Sequence, residues 1–460
     1  MNRRFFLQGM AILMAGSTFA GRSLRPVRAE SGQPSVIVVG AGMAGLAAAS
    51  ALVESGLAVT VLEGRDRLGG RTWTAQVGGA AVDLGAAWIH GSKGNPITAL
   101  AEKAGAKTVI TDYDWLALYG RNGKRISDRQ IGAWYTAAGK LFKALDQTKA
   151  GRTASAQTSI LDVLPRVEAN VLAEADAALK MGVRWVFQSE VEREYGADLG
   201  ELALLSWNKD EGFAGEDLIF PNGYRQLVDN VADGLDIRYG EVVTAIAHNA
   251  QGVQITTSKG THRADYAVIT LPLGVLKAGT VRFEPPLPVT KQRAIDQLGM
   301  GTLNKVVMTF PRPFWPEDVH RLARLSDSGE VGFEYYNLIP VNGAVGLVAL
   351  AGGSDARALE SRPDGEILRA ALTDLRVIFG EAIPAPTATA ITRWTADPFA
   401  FGSYSFVRRG ATRRAYDALA APVRNRLFFA GEATHKDYPA TVHGAWLSGL
   451  RAAEEIGELL

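Results

Sequence analysis

The chain has 460 residues, 47% apolar and 21% charged, with 49 basic against 48 acidic side chains and no cysteine. That length predicts two or three domains around a large core. A net charge of +1 gives no electrostatic case for nucleic acid, and without cysteine there is no disulfide, thiolate metal site or cysteine nucleophile.

Residues 1–29 read as an address. Asn2-Arg3-Arg4-Phe5-Phe6-Leu7-Gln8 looks like a twin-arginine export motif, and the mildly apolar stretch Met10–Ala20 follows it. Val27-Arg28-Ala29 and Thr18-Phe19-Ala20 are alternative segments before a cleavage point. That route carries folded proteins, so the expected destination is the periplasm. After residue 30 no apolar run reaches transmembrane length, and the mature chain is expected not to span a membrane.

Val36–Val39 is a mostly β-branched apolar run that predicts a strand buried on both faces. Gly40, Gly42 and Gly45 follow at G-x-G-x-x-G spacing, with Ala44 among them, then an Ala/Leu-rich helix that stops at Gly56. Leu57–Leu62 is a second strand, and Glu63 ends it. The order strand, glycines, helix, strand, acid is that of a dinucleotide-binding unit. The first glycine makes the tight turn, the second lets backbone approach a pyrophosphate, and the third lets helix and strand pack closely. Free N–H groups at the helix N-terminus hold phosphate, and the carboxylate takes ribose hydroxyls.

Gly64-Arg65-Asp66-Arg67-Leu68-Gly69-Gly70-Arg71-Thr72 comes next. The glycine pair permits close backbone approach, and Arg65 and Arg71 are bidentate donors for phosphate oxygens. E-x-R-x-R-x-G-G-R after such a second strand resembles the flavin-containing amine oxidase family, which includes monoamine oxidases, polyamine oxidases and lysine-specific histone demethylases. The resemblance implies FAD rather than NAD. It also covers Asp83-Leu84-Gly85-Ala86-Ala87-Trp88-Ile89-His90-Gly91 with Asn95-Pro96, which is closer to the polyamine and spermine oxidases. It implies that backbone near Ala87 and Trp88 lies along the isoalloxazine and that His90 faces the substrate cavity.

Residues 97–215 carry amphipathic stretches, such as Leu161–Val186, that predict helices packing a substrate domain. Trp115, Trp134, Trp185 and Trp207 are expected in its core. At Phe220-Pro221-Asn222-Gly223-Tyr224 the chain re-enters the nucleotide domain, with a short helix at Leu227–Val231 and strands at Leu235–Ile246, Val253–Thr257 and Ala267–Thr270. Val243 aligns with the family valine whose backbone holds the adenine. Leu271–Leu276 resembles the family's crossover out of that domain.

The strand Leu303–Phe310 is apolar at most positions, and Lys305 is out of place in it. Burying an ammonium is costly, and a site can lower its pKa instead. In the resembled family this lysine bonds a water that bonds flavin N5, which makes Lys305 the expected catalytic residue. Residues 314–390 supply strands at Val331–Ile339 and Gly346–Ala351 and a helix at Asp364–Phe379, read as mainly structural. Within Arg393–Ser405 the resemblance puts Trp394 beside the cofactor, and Tyr404 with Phe399 in an aromatic wall that suits an amine cation. Ser403 stands where monoamine oxidases carry the cysteine that tethers FAD, so FAD is expected to be noncovalent.

Leu427–Ala430 predicts a buried strand. Gly431-Glu432-Ala433-Thr434-His435 and Tyr438–Trp446 lead into a final helix. Its positive end, placed at the flavin pyrimidine, would stabilise the reduced ring's anion. The resemblance assigns Glu432 to the ribityl or phosphate region, and Thr441 and Val442 to the ring. His435 and His443 lack an acid at a useful spacing and are read neither as ligands nor as bases; no metal is expected.

The resulting fold class is α/β plus α+β: a Rossmann-like FAD-binding domain of glutathione-reductase type (34–95, 216–290 and 415–460) and a discontinuous substrate domain of mixed sheet and helices (96–215 and 291–414). The implied reaction is hydride transfer from the carbon beside a neutral amine to flavin N5, then imine hydrolysis and reoxidation by O2 to H2O2. It requires no strong general base, and no His/Asp pair stands out. The alternatives are an L-amino-acid oxidase, which needs an arginine on the substrate face such as Arg184 or Arg408, and a dehydrogenase passing electrons to a periplasmic carrier. A polyamine site would want a carboxylate: Glu192, Glu194, Glu334 or Asp210. A small-molecule amine is the expected partner, and a homodimer is compatible with the reading.

Overall fold

The computed structural model describes residues 33–149, 154–326 and 332–460; the export motif lies outside them. The nucleotide half is a five-stranded parallel sheet. Its order is Leu427–Phe429, Tyr266–Ile269, Ser35–Val39, Ala58–Leu62, Ile237–Arg238. Strand alternation splits the central strand between two cores. Val36 and Val38 face the helices Met43–Glu54 and Val442–Gly457. Ile37 and Val39 face a four-stranded sheet that contains Val243–Asn249 and Gly252–Thr257. The two helices approach so closely that a Cβ on Gly449 would sit 2.2 Å from the Ala44 carbonyl oxygen.

The second half is built on a six-stranded sheet in the order Ala388–Ile391, Leu303–Thr309, Gly346–Gly352, Glu334–Asn337, Arg321–Arg324, Leu116–Tyr119. Alternation again decides what goes where. Val306, Met308, Ala349 and Tyr335 face a core shared with the helix Asp364–Phe379. On the other face Val307, Val348 and Leu350 pack on the hairpin Thr74–Val77/Ala80–Asp83. Register puts Lys305 opposite Leu350 and Leu350 opposite Glu334, so the lysine shares that second face. A layer of helices, Asp128–Lys149, Ile160–Val171 and Ala177–Phe187, closes a separate core.

Several predicted elements differ. Leu161–Val186 is two helices, because Leu172 ends the first and Asp176 caps the second. Leu235–Ile246 is two strands in two sheets: Ile237–Arg238 closes the parallel sheet, the chain turns at Gly240 (φ +69°), and Val243 opens the four-stranded sheet. Of the described residues 332–339 only Glu334–Asn337 is strand. Trp134, Trp185 and Trp207 are buried, but Trp115 is 52% exposed, stacked edge-on with His320.

Candidate active site

A cavity of about 790 Å³ runs from the C-terminal ends of the parallel strands to the Lys305 face of the six-stranded sheet. Small-molecule sites span roughly 300–1,000 Å³, so this one holds a large ligand.

One end is built for phosphate and ribose. Gly40 takes φ +104°, and a Cβ on Gly45 would sit 1.9 Å from the Gly40 carbonyl oxygen. Gly45 therefore lies beneath the turn, while Gly40, Gly42 and Ala44 line the cavity. The buried Glu63 carboxylate accepts from Ala41 N at 2.7 Å and Arg65 N at 2.8 Å. Gly69 bridges Gly42, which brings the arginine motif onto the glycine turn, and Gly69 and Gly70 both have positive φ. Val243 is buried at this wall. Arg65 pairs with Asp397 at 2.7 Å.

Phe399 was expected in the substrate wall. It packs instead against Gly64, where a Cβ would meet its ring at 2.7 Å, with the Arg65 guanidinium 4.9 Å from its centroid. The turn at 397–401, fixed by Asp397 accepting from Phe399 N, aims the ring at the nucleotide end.

Further along, one carboxylate joins four segments. Glu432 accepts from Arg71 Nη1 (2.8 Å), Ser405 Oγ (2.6 Å), Ser405 N (3.2 Å) and Ala440 N (3.0 Å). Arg71 also donates to the Ser403 carbonyl. Ser403 Oγ is tied to Leu303 through both its N–H and its carbonyl. Thr441 caps the helix Val442–Gly457 by accepting from Gly444 N, and that N-terminus faces the cavity. Trp394 is buried edge-on against Trp73 at 6.2 Å. A side-chain-free cradle, a buried carboxylate, two arginines and a second helix N-terminus fit a dinucleotide with an electron-accepting ring at its far end.

The far end is where Lys305 lies. Its ammonium donates to the carbonyls of Asp83 and Gly85, each at 2.7 Å, with the Trp88 ring 5.5 Å away. Burial pushes its pKa down to about 8, and Asp83 opposes the shift. Ala87 is buried in the lining of the same cavity. Trp88, Tyr336 and Tyr404 line the space, with Trp88 and Tyr336 edge-on at 5.0 Å.

Both the nucleotide fingerprint and the lysine-bearing floor now face one cavity. A model of flavin-containing amine oxidoreductases matches residues 43–457. The chain belongs to that family. Lysine-specific histone demethylase 1 homolog 2 of Arabidopsis thaliana is 38% identical over 443 residues, which is 93% of this chain and 59% of that protein. The chain thus spans little more than half of that relative. Polyamine oxidase 2 of the same plant is 36% identical over 445 residues, 93% of this chain and 89% of its own. A putrescine oxidase bound to putrescine has the same fold, with a TM-score of 0.76 at 22% identity and coverage of 93% and 99%. The family's cofactor is FAD. With no cysteine in the chain and Ser403 at the tether position, it is held noncovalently.

His90 lines the cavity as expected of it, but several of the contacts there were not predicted. His90 Nδ1 lies 3.2 Å from Asp217 Oδ2, and Asp217 also accepts from Gly91 N and Tyr113 Oη. A His/Asp pair therefore exists, hidden by the long stretch of chain between its members. Residues 314–390 are not merely structural, since Arg321, Glu334 and Tyr336 line the cavity. Glu334 sits between Arg193 (2.9 Å) and Arg321 (2.8 Å). Burial alone would raise its pKa, but the two guanidiniums outweigh that and hold it below the ordinary range. Arg193 reaches the wall because the helix Ala177–Phe187 runs into a π turn at Gln188–Glu192, a device common at functional sites. Of the four acids singled out, Glu194, Asp210 and Glu334 line the cavity. Glu192 turns away to accept from Leu199 N. Neither Arg184 nor Arg408 is in the lining. His443 lines it, and burial first and His90 second push its pKa down to about 3.

Proposed function

We propose that the chain is an FAD-dependent oxidase of di- or polyamines. The observation that carries this is the charge of the far end. Three cations, Arg193, Arg321 and Lys305, face four carboxylates there, Glu334, Glu194, Asp210 and Asp217, with Glu334 holding both arginines and Asp217 set against His90. A cation is favoured there and a carboxylate is not, which argues against an L-amino-acid oxidase. Burial raises the pKa of Glu194, and that of Asp210 to about 6. Each therefore gains from a partner ammonium that restores its charge.

Bound FAD would supply the hydride acceptor for the carbon beside the reacting nitrogen. Overall, amine, O2 and water become aldehyde, ammonia or a shorter amine, and H2O2. The chain's own residues orient and desolvate. Trp88, Tyr336 and Tyr404 give an apolar, aromatic passage for a methylene chain and its cation. The acids hold a distal ammonium and so place the reacting carbon. Lys305 has three N–H groups, of which two are taken by carbonyls. The third can hold a water at the reacting end.

The deciding experiment is anaerobic stopped-flow reduction with putrescine, spermidine, spermine, phenylethylamine and L-amino acids. Di- and polyamines are expected to bleach the flavin fastest. Faster bleaching by an L-amino acid overturns the reading. Peroxide yield under air separates an oxidase from a dehydrogenase. We further propose export to the periplasm, on the strength of the Arg3-Arg4 motif. Retention in the cytoplasm after Arg3→Lys/Arg4→Lys tests it.

A further inference from the structure

The cavity floor holds its lysine in an unusual way. Among the described residues, Lys305 Nζ has no carboxylate oxygen within ion-pair distance. Its partners are two carbonyls of one turn, Asp83 and Gly85. What fixes that turn fixes the ammonium. Gly85 N donates to the Trp73 carbonyl, and a Cβ on Gly85 would sit 1.8 Å from the Arg71 carbonyl oxygen, so the turn is pressed onto the arginine motif. The Asp83 side chain, 6% exposed, holds the other side. Its carboxylate accepts from Thr74 Oγ1 and from Tyr224 N at 2.9 Å. It thereby ties the hairpin to the segment where the chain re-enters the nucleotide half.

We propose that Asp83 is the positioning residue of Lys305: its carbonyl receives the ammonium, and its buried carboxylate both anchors the turn and sets the field at the lysine. The other charged or titratable groups on that floor are Glu334, engaged with Arg193 and Arg321, and the phenol of Tyr336. The Asp83 carboxyl is pushed up by burial to about 6, with Thr74, Tyr224 N and Lys305 opposing. Asp83 is the charge that opposes the fall in the lysine's pKa. Removing its charge therefore makes the lysine give up its proton at lower pH. The consequence for turnover rests on the amine-oxidase reading; the positioning does not.

The test is trace acetylation of the FAD-loaded protein between about pH 6 and pH 10, read lysine by lysine in peptides. Lys291, buried elsewhere, is the internal control. Asp83→Asn is expected to move the Lys305 midpoint down by about one pH unit, about fivefold more labelling at pH 7, with Lys291 unchanged. Thr74→Val, which keeps the charge but loosens the anchor, covers the case in which Asp83→Asn does not fold. It should change Lys305 labelling by about twofold or more, again with Lys291 fixed. A Lys305 midpoint that stays put, or that moves only together with Lys291, overturns the proposal. If no amine bleaches the flavin while the midpoint still shifts, the oxidase reading fails and the positioning role stands.

Discussion

Lys291 and Lys305 are both almost inaccessible, at 2% and 4% exposure, and burial lowers the pKa of each, to about 7 and about 8. Both ammoniums are held by backbone carbonyls rather than by carboxylates. Lys291 Nζ donates to Ala418 and Leu419 at the end of the helix Arg414–Ala420 and sits 3.8 Å over the Phe429 ring. Carbonyls there are the negative end of a helix, which a cation satisfies. Lys305 meets a turn that is no helix end, and it lines the cavity. A depressed lysine pKa thus does not by itself mark a reactive site. Access to a ligand-sized space does.

The strongest way to break this contrast is to remove each amine. Lys305→Met should keep FAD, by its visible spectrum, yet slow turnover by about 10²-fold, the scale of a lost proton-handling group. Lys291→Met should leave turnover per bound flavin within about twofold. Equal losses would erase the distinction. Next in size, Glu194→Gln should raise KM for a diamine by about tenfold, with a smaller effect on a monoamine. Occupancy should sharpen the contrast further. Saturating FAD should lower acetylation of Lys305 several-fold and leave Lys291 as it was. The smallest effect is on stability. The folded pKa of Lys291 lies below its unfolded value of about 10.4, so the unfolded state binds more protons between the two. Stability therefore rises with pH from about 7 toward 9. Lys291→Met should flatten the rise in Tm over that window.

Much of the nucleotide end was legible because its determinants are contiguous. Gly40 to Glu63 and Gly64 to Arg71 each encode a turn and its acceptors in one short run. Lys305 stood out as a cation in an apolar strand. The substrate end was less readable. His90 with Asp217, and Arg193 and Arg321 with Glu334, meet only through strand register and a π turn. Period-2 alternation says that Arg321 and Tyr336 share a face with Val348 but not that the face is hollow. Phe399 was misjudged because nearness in sequence to Tyr404 was read as nearness in space. The break at Gly240 was missed because apolar residues continue on both sides of it.

The Glu432 junction has a bearing on biosynthesis. The carboxylate that fastens Arg71, and the helix N-terminus beyond it, come hundreds of residues after the glycine turn they complete. A nascent chain emerging from the ribosome can form the first hairpin and helix early, but it has no closed cradle until residue 442 is out. Cofactor capture is therefore a late event in maturation, and a truncation upstream of Glu432 leaves an apoprotein however well its first half folds.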